Sequence, residues 1–105
     1  MNSRNPLVTE LAELHITPGT DAAFLAAVRQ AAPLFQRARG CKAMRIEKRI
    51  EDADCYLLMV EWETVDDHLV HFRESADYQE WRRLASPFFF AAPMVHHIAP
   101  VQAFF

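Results

Sequence analysis

The chain has 105 residues, 51% of them apolar and only two of them glycine, with eleven basic against fourteen acidic side chains for a net charge of −3. That length supports one domain with one core. An acidic balance with no run of Lys or Arg gives no footing for nucleic acid or an anionic membrane surface as partner.

The opening M-N-S-R-N-P lacks the apolar centre of a signal peptide, so a soluble, cytoplasmic domain is expected. Leu7 to Ile16 reads as a first strand, with Val8, Ala12, Leu14 and Ile16 on one face and Leu7, Thr9, Leu11, Glu13 and His15 on the other. Thr17-Pro18-Gly19 breaks it. Thr20 is placed to cap a helix whose apolar positions are Phe24, Leu25, Val28, Ala31, Ala32 and Phe35. Pro33 falls inside that pattern, and the missing backbone donor predicts a kink or split, with a second short turn from Leu34 to Arg39 stopped by Gly40.

Cys41 to Ile50 is the second strand, with Lys42, Met44, Ile46, Lys48 and Ile50 sharing a face, and Glu51 to Asp54 turns the chain into the third. That strand, Cys55 to Thr64, points Tyr56, Leu58, Val60 and Trp62 one way and Cys55, Leu57, Met59 and Glu61 the other. Both faces are largely apolar, which predicts cover on both sides. One layer of helices is available within the chain; the other has to come from a second copy, so a homodimer is expected.

Thr64 caps the next predicted helix, with Val65, Leu69 and Phe72 on its core face. Ser75 caps another, carrying Tyr78, Trp81 and Ala85 on one side until Ser86-Pro87 ends it. The longest apolar stretch, Leu84 to Val95, holds Pro87 and Pro93 and is too short to cross a bilayer. Met94 to Gln102 fits a last strand. The order β-α-β-β-α-β defines an α+β, ferredoxin-like fold: a four-stranded antiparallel sheet with both helices on one face. Cys41 and Cys55 have neither C-x-x-C nor zinc-knuckle spacing and read as buried free thiols.

The P-G after strand one, the R-A-R-G-C entry to strand two, V-E-W-E-T, F-R-E-S-A-D-Y and A-A-P-M-V-H-H together resemble the antibiotic biosynthesis monooxygenase (ABM) domain, over roughly Val8 to Val101. The resemblance implies a single ABM-like domain over 1–105 (core about 7–102) that forms a dimeric α/β barrel by packing two sheets face to face. It also implies oxidation of phenolic, quinol or anthrone-like aromatics by O2 without metal or flavin. Relatives on the same scaffold degrade haem, isomerise substrates or only bind small molecules, so the scaffold leaves the reaction open. The anthrone-oxidising members pair an Asn, a strand-three Trp and a helical Arg. Trp62 matches the Trp and Arg82 the Arg, whereas the Asn position is Leu58. The haem-degrading set, Asn, Trp and His, falls on Ala12, His71 and Trp81 and does not match.

Trp62, beside Leu58 and Val60, either floors a cavity or packs as an ordinary core Trp, and the two are compatible. His68 sits at the edge of its helix's core face, either as a structural imidazole or as the general base for a phenolic proton. His71 lies one turn on, toward solvent. The catalytic candidates are therefore His68, Trp62 and Arg82, and the substrate-contacting set is Leu58, Phe72, Tyr78, Trp81 and His71. No metal ligand set is expected: His68 and His71 lack a partnering carboxylate at ligand spacing, and His96 and His97 point to opposite faces of a strand. His15 falls on the dimer-facing side. No cofactor motif is present. The expected partners are a second copy, a small aromatic ligand and O2.

Overall fold

The computed structural model describes residues 6–105. Strands β1 (Val8–His15), β2 (Cys41–Lys48), β3 (Cys55–Trp62) and β4 (Met94–Ile98) form one open antiparallel sheet in the order β2-β3-β1-β4. Helices α1 (Asp21–Gln36) and α2 (Ala76–Ala85) pack on one face of it, giving the ferredoxin-like α+β fold. A π-helical segment, Asp67–Phe72, precedes α2, and a 3-10 turn, Ser86–Phe88, follows it.

The period-2 alternation of the strands decides what is buried. Ala12, Leu14, Tyr56, Leu58, Val60 and Trp62 point toward the helices and are at most 5% exposed. Against them pack Phe24, Val28, Ala31 and Phe35 of α1, Phe72 of the π segment, and Trp81 and Ala85 of α2. Phe35 is the hub of this layer, with its ring 4.8 Å from that of Phe72 and 5.2 Å from that of Trp81. On the opposite face Leu11, Leu57 and Met59 are half-buried, while Met94 and Ile98 are 54% and 47% exposed. No helix among the described residues is long and apolar enough to cross a membrane.

Several local expectations need correction. Helix α1 does not break at Pro33 but runs on to Gln36, so no separate turn starts at Leu34. Pro33 and Arg29, whose carbonyl loses its donor, both lie on the exposed side of the helix. Thr20 makes no side-chain cap: its hydroxyl donates back to the Thr17 carbonyl at 2.6 Å. A bulge between Cys41 and Ala43 puts Cys41, not Lys42, opposite Trp62 on the covered face. Strand β2 ends at Lys48, leaving Ile50 94% exposed, and β4 ends at Ile98 rather than Gln102.

The segment after Thr64 also differs from the expected α-helix. Thr64 does cap it, its hydroxyl oxygen accepting from Asp67 N at 3.0 Å. From Asp67 onward, however, the turns widen, as the Arg73 N–H to His68 O bond of 3.1 Å spans five residues. The wider turn buries Asp67, His68 and Phe72, and leaves Val65 and Leu69 only half-buried. Ser75 caps α2 as its sequence predicts, accepting from Tyr78 N at 3.2 Å.

Candidate active site

The site is assembled by strand register. Glu10 of β1 lies opposite Val60 of β3 and opposite His97 of β4. Its side chain therefore points into the helix-covered layer beside His97 and diagonally to Trp62. An acid at this even position, among Val8, Ala12 and Leu14, is the feature the sequence reading passed over. Glu10 is 5% exposed, and its Oε1 accepts from Trp62 Nε1 at 3.0 Å. The π segment brings His68 down onto the same spot: its ring stacks on Trp62 at 5.3 Å and 19°, with Nε2 3.3 Å from Glu10 Oε1. On the other side of that ring, Nδ1 lies 2.8 Å from His97 Nε2. Glu10, His68 and His97 thus form one continuous chain of polar atoms through the interior.

Burial sets the proton affinities along this chain. It pushes the Glu10 carboxyl up to about 7, against the Trp62 hydrogen bond and the Arg73 charge, which both favour the ionised form. It pulls His68 down to about 4, helped by His97 and Arg73. His97, less enclosed, is held below the usual imidazole range by burial, Arg73 and His96. At neutral pH the imidazoles are therefore uncharged while Glu10 exchanges its proton readily. His68 and His97 share one hydrogen bond, whose direction follows their tautomers, while His68 Nε2 abuts Glu10 Oε1 at 3.3 Å without a formed hydrogen bond.

A cavity of about 50 Å³ adjoins this chain, lined on the polar side by Glu10, His68, Arg73 and Arg82. Leu58, Phe72, Tyr78 and Trp81 line it as well, so four of the five residues assigned to substrate contact converge here, as do His68 and Arg82. Trp62 is fully buried behind it, holding Glu10 and His68 in place rather than meeting the space itself. His71 is exposed and does not border it. Ala12, Leu14, Phe35, Phe89, Pro93 and Val95 complete the wall. The hollow is smaller than an aromatic ring requires, so a substrate has to displace Arg73 and Arg82, both of which are exposed. A larger groove of about 380 Å³ between α1 and β2 is lined by Val28, Ala32, Cys41, Met44 and Ile46 with Arg29, Lys42 and Arg45, and has no acid or imidazole. The buried carboxyl and imidazole line the smaller one.

An open four-stranded antiparallel sheet with helices on one face, enclosing a buried carboxyl and imidazole, defines a small ferredoxin-like α+β domain. The chain belongs to the antibiotic biosynthesis monooxygenase family, whose sequence profile matches residues 7–84. It is 42% identical over 95 residues to the uncharacterized protein YczJ of Bacillus subtilis, covering 90% of this chain and 100% of that one. A crystal structure from Bordetella bronchiseptica, carrying the antibiotic biosynthesis monooxygenase description, is 47% identical with a TM-score of 0.91, covering 93% of this chain and 100% of that one. One from Nitrosomonas europaea with the same family description shares the fold at 17% identity and a TM-score of 0.79, covering 96% of each chain.

Proposed function

We propose that the protein is a monooxygenase of the ABM type that oxidises a phenolic, quinol or anthrone-like aromatic without a bound cofactor. The observation that carries this reading is the buried Glu10, near 7 in proton affinity and beside His68 and His97, at the wall of a cavity with aromatic and aliphatic sides and two arginines at its mouth. Glu10 is the better-placed base. His68 Nδ1 is tied to His97 and its Nε2 faces Glu10 Oε1, whereas Glu10 Oε2 takes part in no side-chain hydrogen bond among the described residues. His68 becomes the relay that orients Glu10 and drains its proton toward His97.

Glu10 removes the acidic proton and the electron-rich anion passes an electron to O2. Arg82 and Arg73 at the mouth stabilise the negative oxygen. For an anthrone-type methylene the sum is CH2 + O2 giving C=O + H2O, so the substrate supplies all the electrons. Tyr78, Trp81, Phe72 and Leu58 hold the ring. The test is oxygen uptake by the purified protein with a panel of quinols and anthrones. Uptake that follows substrate and falls about 10²-fold in Glu10→Gln supports the reading. Ligand binding with no oxygen consumption across the panel leaves the domain a small-molecule binder.

A further inference from the structure

We propose that Glu13, His15 and Cys55 form a binding site for a divalent cation of the zinc class, on the sheet face opposite the candidate active site. His15 and Cys55 are directly opposed in the β1–β3 register, and Glu13 sits two residues back on the same face of β1. Their donor atoms form a near-regular triangle: Glu13 Oε1 to His15 Nε2 is 3.1 Å, Cys55 Sγ to Glu13 Oε1 is 3.8 Å, and Cys55 Sγ to His15 Nε2 is 3.9 Å. Tetrahedral zinc with one sulfur, one nitrogen and one oxygen ligand has edges of about 3.3–3.6 Å, so the triangle needs only small adjustments to hold an ion. Two adjacent central strands carry all three ligands, which fixes their spacing better than a loop would.

The surroundings supply the outer shell such a site uses. His15 offers Nε2 to the triangle, while its Nδ1 faces Asp52 Oδ2 at 3.8 Å, longer than a hydrogen bond but in the position from which a carboxylate can close onto a metal-bound histidine. A thiolate and a carboxylate balance the charge of a divalent ion. Arg49 is the competitor: its Nη2 lies 3.2 Å from Glu13 Oε1. Arg49 also neighbours Cys55, and its side chain is 40% exposed, so an incoming cation has to displace it from both ligands. A cavity of about 170 Å³ bordered by His15, Asp52, Asp54 and Phe90 lies alongside.

Titration of the reduced, full-length protein with Co²⁺ reads the site directly, through the thiolate-to-cobalt charge-transfer band in the near ultraviolet. The expected result is a band saturating at one ion per chain, abolished by Cys55→Ser and by addition of excess Zn²⁺. Asp52→Asn, which keeps the Oδ1 acceptor for Asp54 N, should weaken binding about 10–100-fold, and Arg49→Ala should tighten it. No thiolate band in the folded wild type, or a band that survives Cys55→Ser, overturns the proposal. Circular dichroism of each variant separates loss of the site from loss of the fold.

Discussion

Glu10 and His68 meet across 3.3 Å inside the protein, their side chains 6% and 4% exposed, the carboxyl raised to about 7 and the imidazole lowered to about 4. Both shifts come chiefly from burial, and each acts on the charged form of its own group. A salt bridge between them would place two charges in the interior, and the opposed shifts disfavour it. At neutral pH the pair therefore carries at most the single charge of Glu10.

Replacing Glu10 by Gln tests both the chemistry and the stability. The amide keeps an acceptor for Trp62 Nε1 but cannot take a proton, so turnover should fall about 10²-fold or more. The stabilising effect of the raised carboxyl is fully present below about 4.5 and lost as the pH rises through about 7. Denaturant melts should then show Glu10→Gln matching the wild type in acid and exceeding it at alkaline pH, by up to about 3 kcal/mol. A gap that does not grow with pH would remove Glu10 as the titrating group.

Trp62→Phe keeps most of the packed volume and deletes one donor. Since the Trp62 hydrogen bond favours ionised Glu10, its loss should move the acid limb of the pH–rate profile to higher pH. Trp62→Ala should instead destabilise the whole domain by about 3–5 kcal/mol, because it empties a fully buried position.

His97→Ala interrupts the chain where it nears the surface. Turnover should drop by about 10²-fold, and imidazole added to the buffer should restore part of it, while binding of the aromatic ligand stays close to wild type. Unchanged turnover would make His97 a packing residue only.

Gly40 adopts φ +76° and lies against Asp67, so a Cβ there would collide with the Asp67 carboxylate. Gly40→Ala should cost at least about 1–3 kcal/mol in thermal or chemical melts, both from the left-handed backbone and from displacing a buried acid that anchors the π segment.

The open sheet face makes a second copy of the chain the expected partner, because leaving apolar strand surface in water costs about 25 cal/mol per Å². Leu57→Glu or Met59→Glu at the middle of that face should yield monomers in sedimentation at concentrations where the wild type is dimeric. A wild type that sediments as a monomer at micromolar concentration would defeat the expectation.

The local pattern of the chain determined its architecture. Alternation along Tyr56, Leu58, Val60 and Trp62 gives β3 a buried face without reference to any partner. The Glu51–Asp54 turn closes the β2–β3 hairpin over a short distance, and the Ser75 cap fixes the start of α2. Such features depend on neighbours a few residues away, and so they are legible in sequence. Where the local rule met a different environment it failed: Pro33 sits on the exposed side of a helix that runs on past it, and the β2 bulge shifts parity at Cys41.

The site was decided by contacts that span the chain. Leu58, Phe72, Tyr78, Trp81, His68 and Arg82 could be nominated from their faces, but nothing local links Glu10 to His97, 87 positions on, or to Trp62. Only the antiparallel register of β1 with β3 and β4 lays those side chains next to one another, and only the widened turn after Asp67 drops His68 between them. Burial then shifts each group, and burial is a property of the closed layer rather than of any segment. The same holds for Glu13, His15 and Cys55: their spacing matches no motif, and the register of two central strands alone makes them a triangle.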